Sequence, residues 1–284
     1  MLKEQGYYTA HIGKWHLGRS KGSTPNDQGF DDSLLMASGL YLPEQDPQVV
    51  NAKLDFDPID KFLWARMNYS ASFNNGGDER FEPGGYLTDY WTDESIEIIK
   101  ANKHRPFFLY LAHWGVHTPL QATREDFEAV GDIQPHRLRV YAAMIRALDR
   151  SIGRIVASLE QEGLADNTVI MFTSDNGGSP NTDVLIRESP TGEREVIYPS
   201  NCSDDLDPNL THDEAMSIHG CLRGVDPDST GHLRGFKKDF YEGGLREPTI
   251  VEWPAGIKPR VSNFPSGTVD MFPTLIDIAG LSPD

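Results

Sequence analysis

The sequence predicts an α/β fold in which a mostly parallel central sheet has helices on both faces. Three observations lead to this prediction: continuous apolar runs of strand length, periodic helical segments between them, and polar motifs where the runs end. Strands buried in a parallel sheet are apolar on both faces, and ligands bind beyond their carboxyl ends. The polar motifs therefore supply the candidate functional residues.

Four apolar runs are predicted to form the strands. Each run ends in polar or glycine-rich residues, and its continuous hydrophobicity is typical of a strand buried in a parallel sheet. The runs are residues 7–12, 106–112, 168–174 and 249–253.

Three helices are predicted around these strands. The strongest lies between the second and third strands, where seven apolar residues share one helical face and Gly163 provides the stop. The seven residues are Leu138, Tyr141, Ile145, Leu148, Ile152, Ile155 and Leu159. A weaker helix covers residues 88–102, and a last one, residues 268–279, contains Pro273, which is tolerated or kinks the helix.

Two long segments interrupt the alternation of strands and helices. Residues 41–85 are rich in Asp, Asn, Pro and Gly, and residues 179–232 are polar and acidic and contain both cysteines. Loops of this length inside a compact domain are usually functional lids or poorly ordered. Both segments are therefore predicted to be loop insertions, and the second is expected to help shape a pocket.

Composition limits the class of protein. The 284 residues are 38% hydrophobic, which is enough for one principal domain, and the net charge of -17 argues against nucleic acid or anionic membranes as partners. No signal peptide is visible and no apolar run approaches the roughly 20 residues of a membrane span, so the chain as given is expected to be soluble. Cys202 and Cys221 cannot form a disulfide framework, and whether they pair stays open.

Two candidate groups follow the first two strands. Lys14 and His16 would project to one face if the strand continued, so that an ammonium and an imidazole could hold an anionic oxygen. His113 and His117 are four residues apart, but an intervening glycine and a following proline argue against the helix that a zinc pair requires. His117 is therefore the candidate for substrate contact, and His113 is predicted to be packed or hydrogen-bonded.

Two further groups lie near the third and fourth strands. Asp175 and Asn176 offer a carboxylate and an amide oxygen, which calcium and magnesium prefer, although a plain Asx-Gly turn explains the segment DNGG equally well. Lys237, in the segment GFKKDFYEGG, could reach an anion, with Lys238 as the alternative. No single group is specific for one function, and the prediction depends on the combination of all four groups.

In this order the four groups resemble the sulfatase branch of the alkaline phosphatase superfamily. The segment GKWHLG at residues 13–18 resembles a sulfatase signature, and the resemblance extends over nearly the whole chain, most weakly in the two long segments. It implies that residues 1–284 form one partial sulfatase catalytic domain. The implied activity is that of an arylsulfatase-like sulfuric ester hydrolase.

The resemblance also implies a role for each candidate residue. Asp175 and Asn176 would be calcium ligands. The residues that would surround the sulfate and its leaving oxygen are Lys14, His16, His117 and Lys237. A formylglycine hydrate would attack sulfur, the substrate would be a sulfated small molecule or sulfated glycan, and the location would be periplasmic, extracellular or lysosomal.

Parts of the family pattern do not occur in this sequence. Formylglycine forms at Cys or Ser followed by any residue, Pro or Ala, any residue and Arg, and neither cysteine is in such a segment. The segment that begins at Ser23 has Asp27 in place of the arginine. The family's first-strand aspartate pair and small C-terminal subdomain are also missing. We therefore expect an incomplete chain that shows no sulfatase turnover by itself.

Two other functions stay open at this point. A phosphatase or phosphodiesterase of the same superfamily would generally use zinc, and Asn176 beside Asp175 favours calcium instead. A non-catalytic protein that binds sulfate or sulfated glycans would keep the anion pocket without a nucleophile.

Overall fold

The main sheet has five strands and is mixed. The computed structural model describes residues 1–54, 58–73, 79–178, 185–188, 194–197 and 233–281. The five strands are Tyr8–Gly13 (β1), Asp32–Met36 (β2), Ala71–Phe73 (β4), Arg80–Phe81 (β5) and Phe107–Ala112 (β6). In the order β5-β4-β2-β1-β6, β1 is parallel to β2 and β6, whereas β4 is antiparallel to both its neighbours. The α/β class and the parallel centre of the sheet are confirmed.

The other strands of the described residues form three antiparallel pairs. Val49–Asn51 (β3) pairs with Gln121–Thr123 (β7), Ile170–Thr173 (β8) with Thr249–Glu252 (β11), and Leu185–Glu188 (β9) with Arg194–Ile197 (β10). The β8–β11 pair corrects the prediction that both runs are buried parallel strands, since every residue of β11 is exposed. An apolar run shows that both faces are hydrophobic but does not specify what covers them.

One predicted helix lies against the main sheet, and a second packs on that helix. Leu87–Asn102 (α2) contacts β1 and β6, and His136–Gln161 (α4) packs along α2. Gly163, with a φ of 71°, follows α4 as a glycine stop should. Of the seven apolar residues that predicted α4, only Leu159 is buried and Ile145 is exposed, so the sequence predicted the helix but not the face that it buries. The buried apolar residues of the helix are Val140, Ala143, Met144, Ala147 and Leu159.

Aromatic side chains from the loop after β1 contact the opposite face of that strand. The rings of Trp15 and Phe30 lie edge-on to His11 at centroid distances of 5.1 Å and 5.6 Å. Side chains therefore cover this part of the second face. Neither imidazole nitrogen of His11 has a hydrogen-bond partner of normal geometry among the described residues.

The remaining helices are shorter. They are Pro58–Arg66 (α1), Arg124–Ala129 (α3), Glu242–Leu245 (α5) and Thr268–Ile278 (α6). The predicted last helix is present as α6 and contains Pro273. Within the described ranges, no helix is long and apolar enough to cross a membrane.

The segment 41–85 is part of the core, which corrects its prediction as a loop insertion. It contributes β3, α1, β4 and β5, and β4 extends the main sheet by pairing with β2. Tyr41, Trp64 and Tyr69 are buried in the main hydrophobic cluster. The predicted loop at 179–232 lies outside the described residues, apart from β9 and β10.

Candidate functional site

Side chains from four parts of the chain meet beyond the ends of β1, β6 and β8. Lys14 follows β1, His117 lies in the loop after β6, Asp175 follows β8, and Lys237 precedes α5. The Nζ atom of Lys237 lies 3.2 Å from Nε2 of His117, and Nζ of Lys14 lies 3.9 Å from a carboxylate oxygen of Asp175. The predicted convergence of these four residues at strand ends is thus present in the structure.

Lys14 is placed by the close approach of two strand ends. Its N–H donates to the carbonyl oxygen of Ala112 at 2.8 Å, where β1 and β6 finish. A Cβ at Gly13 would lie 2.0 Å from that same oxygen, so the approach requires glycine. The Lys14 ammonium lies 5.2 Å from the centroid of the Trp114 ring, and the lysine side chain is 19% exposed. Lys14 therefore presents its charge at the surface of the site.

His117 is held as one tautomer. Its Nδ1 lies 2.6 Å from the carbonyl oxygen of Thr118, so Nδ1 carries the hydrogen and donates it. Nε2 is left with a lone pair that accepts from the Lys237 ammonium. Burial, together with the charges of Lys237 and Lys14, lowers the pKa of His117 to about 4, against the opposing effect of the Thr118 carbonyl. The imidazole is consequently neutral at pH 7.

Backbone contacts between two glycine-containing segments hold Lys237. The N–H of Lys237 donates to Gly178 at 2.9 Å, and the N–H of Gly177 donates to Gly244 at 3.2 Å. A Cβ at position 177 would lie 1.8 Å from the carbonyl oxygen of Gly243, a contact that no side chain permits. The segments DNGG and EGG therefore pack main chain against main chain, which sets the position of Lys237 beside the end of β8.

The structure distinguishes Lys237 from its neighbour. Lys237 is partly buried and contacts His117, whereas Lys238 is exposed and has a φ of 86°. Burial, and then the charge of Lys14, lowers the pKa of Lys237 below its usual range, although Asp175 opposes the shift. A lysine of lowered pKa can release its proton more readily than a free one.

His16 does not join this group, which corrects the expectation that it shares a face with Lys14. The strand ends at Gly13, and His16 has a φ of 66°, so the two-residue alternation of a strand does not apply. His16 is exposed, and no hydrogen bond or ion pair connects it to the other candidate residues within the described chain. Its role in sulfate binding stays a prediction.

The residues present do not complete a calcium site. Asp175 is 74% exposed and directs its carboxylate toward Lys14, and Asn176 is its only predicted partner. Among the described residues, no group of three or more His, Cys, Asp or Glu side chains could hold a metal ion. Calcium requires six to eight oxygen ligands. Burial, and then the charge of Asp175, raises the pKa of Glu247.

Two residues near the site were not predicted from the sequence. The Trp114 ring stacks on the His117 ring at a centroid distance of 3.9 Å and an angle of 23°, and it also faces Lys14. The motif that contains His117 could have suggested Trp114, but nothing local suggests Tyr41, whose hydroxyl reaches the same loop. His113 points away, toward Ser151 of α4 at 2.9 Å, as predicted for a hydrogen-bonded histidine.

Two ammonium groups and a neutral imidazole beyond the strand ends of an α/β sheet are chemically suited to an anionic oxygen group. The fold is similar to that of Ps i-CgsB, solved in complex with k-i-k-neocarrahexaose: the TM-score is 0.70 at 26% identity, covering 100% of this chain and 53% of that one. The sulfatase family profile matches residues 1–281, and the chain belongs to the sulfatase family.

Curated relatives are consistent with this family. The chain is 34% identical to mouse arylsulfatase J over 290 residues, which is 98% of this chain and 38% of the relative. It is 27% identical to dog N-acetylgalactosamine-6-sulfatase over 288 residues, which is 100% of this chain and 44% of the relative. The chain therefore spans less than half the length of these relatives.

Proposed function

We propose that this chain forms the sulfate-binding part of an arylsulfatase-like sulfuric ester hydrolase. The contact that carries the proposal is the one between Lys237 and His117, 3.2 Å apart beside a second lysine. A sulfate ester needs positive charge at its oxygens and a proton for the departing oxygen. Lys14 and Lys237 supply the charge, and the lowered pKa of Lys237 suits proton donation.

The tautomer of His117 supports Lys237 as the group that donates a proton to the leaving oxygen. His117 is neutral and its Nδ1–H is used by Thr118, so its Nε2 can accept a proton but has none to give. The ammonium of Lys237 therefore donates to the leaving oxygen as the sulfur–oxygen bond breaks. His117 orients that ammonium and takes up the hydrogen bond again when Lys237 is reprotonated.

Calcium and formylglycine belong to the reaction that we propose. Calcium would neutralise sulfate oxygens, and Asp175 and Asn176 would provide two of its ligands. The nucleophile would be a formylglycine, and its precursor motif does not occur in the 284 residues. We therefore expect this chain alone to release no nitrophenol from 4-nitrophenyl sulfate. Measurable release that scales with the purified protein would contradict that expectation.

The proposed substrates are sulfated small molecules or sulfated glycans. One curated relative carries the name N-acetylgalactosamine-6-sulfatase, and the similar structure of Ps i-CgsB was solved with an oligosaccharide. The net charge of -17 means that an anionic substrate must be captured by the local cluster of Lys14 and Lys237 against the overall field. Binding should therefore depend strongly on these two side chains.

Calorimetric titration with 4-nitrophenyl sulfate tests the proposal. Lys237→Met should weaken binding about tenfold or more, because charge-assisted hydrogen bonds are the strong ones. Lys238→Met is the matched control, since it removes an equal charge from the adjacent exposed position and should leave the affinity within about twofold. Equal losses in both variants, or none in Lys237→Met, would contradict the proposed site.

A further inference from the structure

We propose that Tyr41 is a positioning residue of the sulfate site, because its hydroxyl fixes the loop that carries Trp114 and His117. The hydroxyl donates to the main-chain carbonyl oxygens of Trp114 at 2.8 Å and His117 at 2.9 Å. These carbonyls belong to the two residues whose rings stack at the site. One buried side chain thus holds both ends of the turn.

The loop depends on the same short segment at a second point. The indole N–H of Trp114 donates to the carbonyl oxygen of Gly39 at 2.8 Å, two residues before Tyr41. Within the turn, the N–H of His117 donates to the carbonyl oxygen of Trp114 at 2.9 Å. Residues 39–41 therefore hold both the ring of Trp114 and the main chain beneath His117.

Tyr41 is itself fixed in the core. It is fully buried, and its N–H donates to the side-chain oxygen of Gln121 at 2.8 Å. The amide nitrogen of Gln121 donates in turn to Asn51 at 2.8 Å. The Tyr41 ring stacks on Tyr86 at a centroid distance of 5.5 Å. A hydroxyl anchored in this way cannot follow the loop if the loop moves, so it constrains the loop.

Loss of the hydroxyl would act on the site through His117. The His117 carbonyl would lose its donor, whereas the Trp114 carbonyl would keep the His117 N–H, and a shielded acceptor without a donor is costly. The turn can relieve this cost by rotating toward water, which carries the imidazole away from Lys237. The inference rests on the proposed function in one respect: sulfate binding by His117 and Lys237 is the property that Tyr41 supports.

Two tyrosine variants separate positioning from general stability. Tyr41→Phe removes the hydroxyl beneath the loop, and Tyr86→Phe removes a second buried hydroxyl, which donates to the main-chain carbonyl of Gln121 at 2.8 Å. Both variants should lose similar thermal stability. Inorganic sulfate should bind about tenfold more weakly to Tyr41→Phe, and within about twofold of the unchanged protein to Tyr86→Phe.

The nitrogen resonances of His117 give a second readout. In Tyr41→Phe we expect them to report a mixture of tautomers, whereas in Tyr86→Phe the Nδ1–H form should persist. A third variant carries 4-aminophenylalanine at position 41, which retains a donor in the same place and should restore both folding and sulfate affinity. It also covers the case in which Tyr41→Phe does not fold.

The outcomes separate the two proposals. If the unchanged protein fails to bind sulfate, the proposed function is wrong. If it binds sulfate and a folded Tyr41→Phe binds equally well, only the role of Tyr41 is wrong. A folded 4-aminophenylalanine variant with tenfold weaker binding would likewise overturn that role.

Discussion

The region from Ile12 to Ala147 and the region of residues 233–281 are packed very differently, although both contribute residues to the candidate site. Every member of the main hydrophobic cluster lies between Ile12 and Ala147. In residues 233–281, only Phe236 and Ile276 are buried apolar residues. The same range has nine exposed large hydrophobic residues: Phe240, Tyr241, Leu245, Ile250, Val251, Val261, Phe264, Val269 and Phe272.

The difference shows two ways of placing a functional side chain. Lys14 and His117 belong to the packed region, where strand ends and the Tyr41 hydroxyl fix them. Lys237 belongs to the exposed region, where hydrogen bonds and glycine contacts between main chains do the same. Side-chain packing therefore accounts for one half of the site, and main-chain packing accounts for the other.

The largest expected effect is a loss of stability in the packed region, between Ile12 and Ala147. Leu87→Ala truncates a fully buried side chain and should lower the free energy of unfolding by about 2–5 kcal/mol. Ile250→Ala, at a position that is 61% exposed, should change it by less than about 0.5 kcal/mol. Urea unfolding measures both, and equal losses would mean that β11 is covered in solution.

A smaller loss of stability, with a clear loss of binding, is expected at the glycine contact. Gly177→Ala puts a Cβ against the Gly243 carbonyl and should cost about 1–3 kcal/mol. Because the main chains must separate, Lys237 should move and sulfate affinity should fall.

Gly153→Ala is the control for this glycine, because it lies inside α4 with no atom within 4 Å of the added Cβ. It should leave sulfate binding unchanged and stabilise the helix by about 0.5–1 kcal/mol. Unchanged sulfate binding in Gly177→Ala would show that main-chain packing does not place Lys237.

The smallest effect concerns His11 in the packed region. Burial lowers the pKa of His11 to about 4, below its unfolded value near 6.5, so the unfolded state takes up a proton here before the folded state does. The free energy of unfolding therefore falls as pH falls from about 6.5 toward 4. His11→Leu should raise stability by about 1 kcal/mol at pH 7 and by more at pH 5. Urea unfolding at both pH values checks this.

The exposed His104 provides the control for pH. His104→Leu should change the free energy of unfolding by less than about 0.5 kcal/mol at pH 7. An identical pH dependence for His11→Leu would contradict the burial of a neutral imidazole at position 11.

Strong periodicity and strand-end chemistry could be predicted from the sequence, whereas contacts across long separations could not. The seven apolar residues of α4 and the runs of β1 and β6 predicted their elements to within a few residues. Lys14, His117 and Asp175 were predicted because they follow predicted strands, whose ends carry the ligand sites of α/β sheets. Lys237 was predicted because the order of the four groups resembles that of the sulfatase family. Strands of two or three residues, such as β4 and β5, are too short to show a period.

Two other features depend on tertiary structure that no local pattern records. The hydroxyl of Tyr41 meets His117 across 76 positions of sequence. The left-handed φ of His16 cannot be inferred from a Lys-x-His spacing, so the expected strand geometry failed there.

The most direct test of the sulfate site is a titration of the ¹⁵N-histidine-labelled chain with inorganic sulfate, followed by NMR. We expect the Nε2 resonance of His117 to shift saturably, because sulfate takes over the Lys237 ammonium that this nitrogen accepts from. The exposed His136 should not shift, and Lys237→Met should abolish the change at His117. No shift at His117, or equal shifts at both histidines, would contradict a sulfate site at this position.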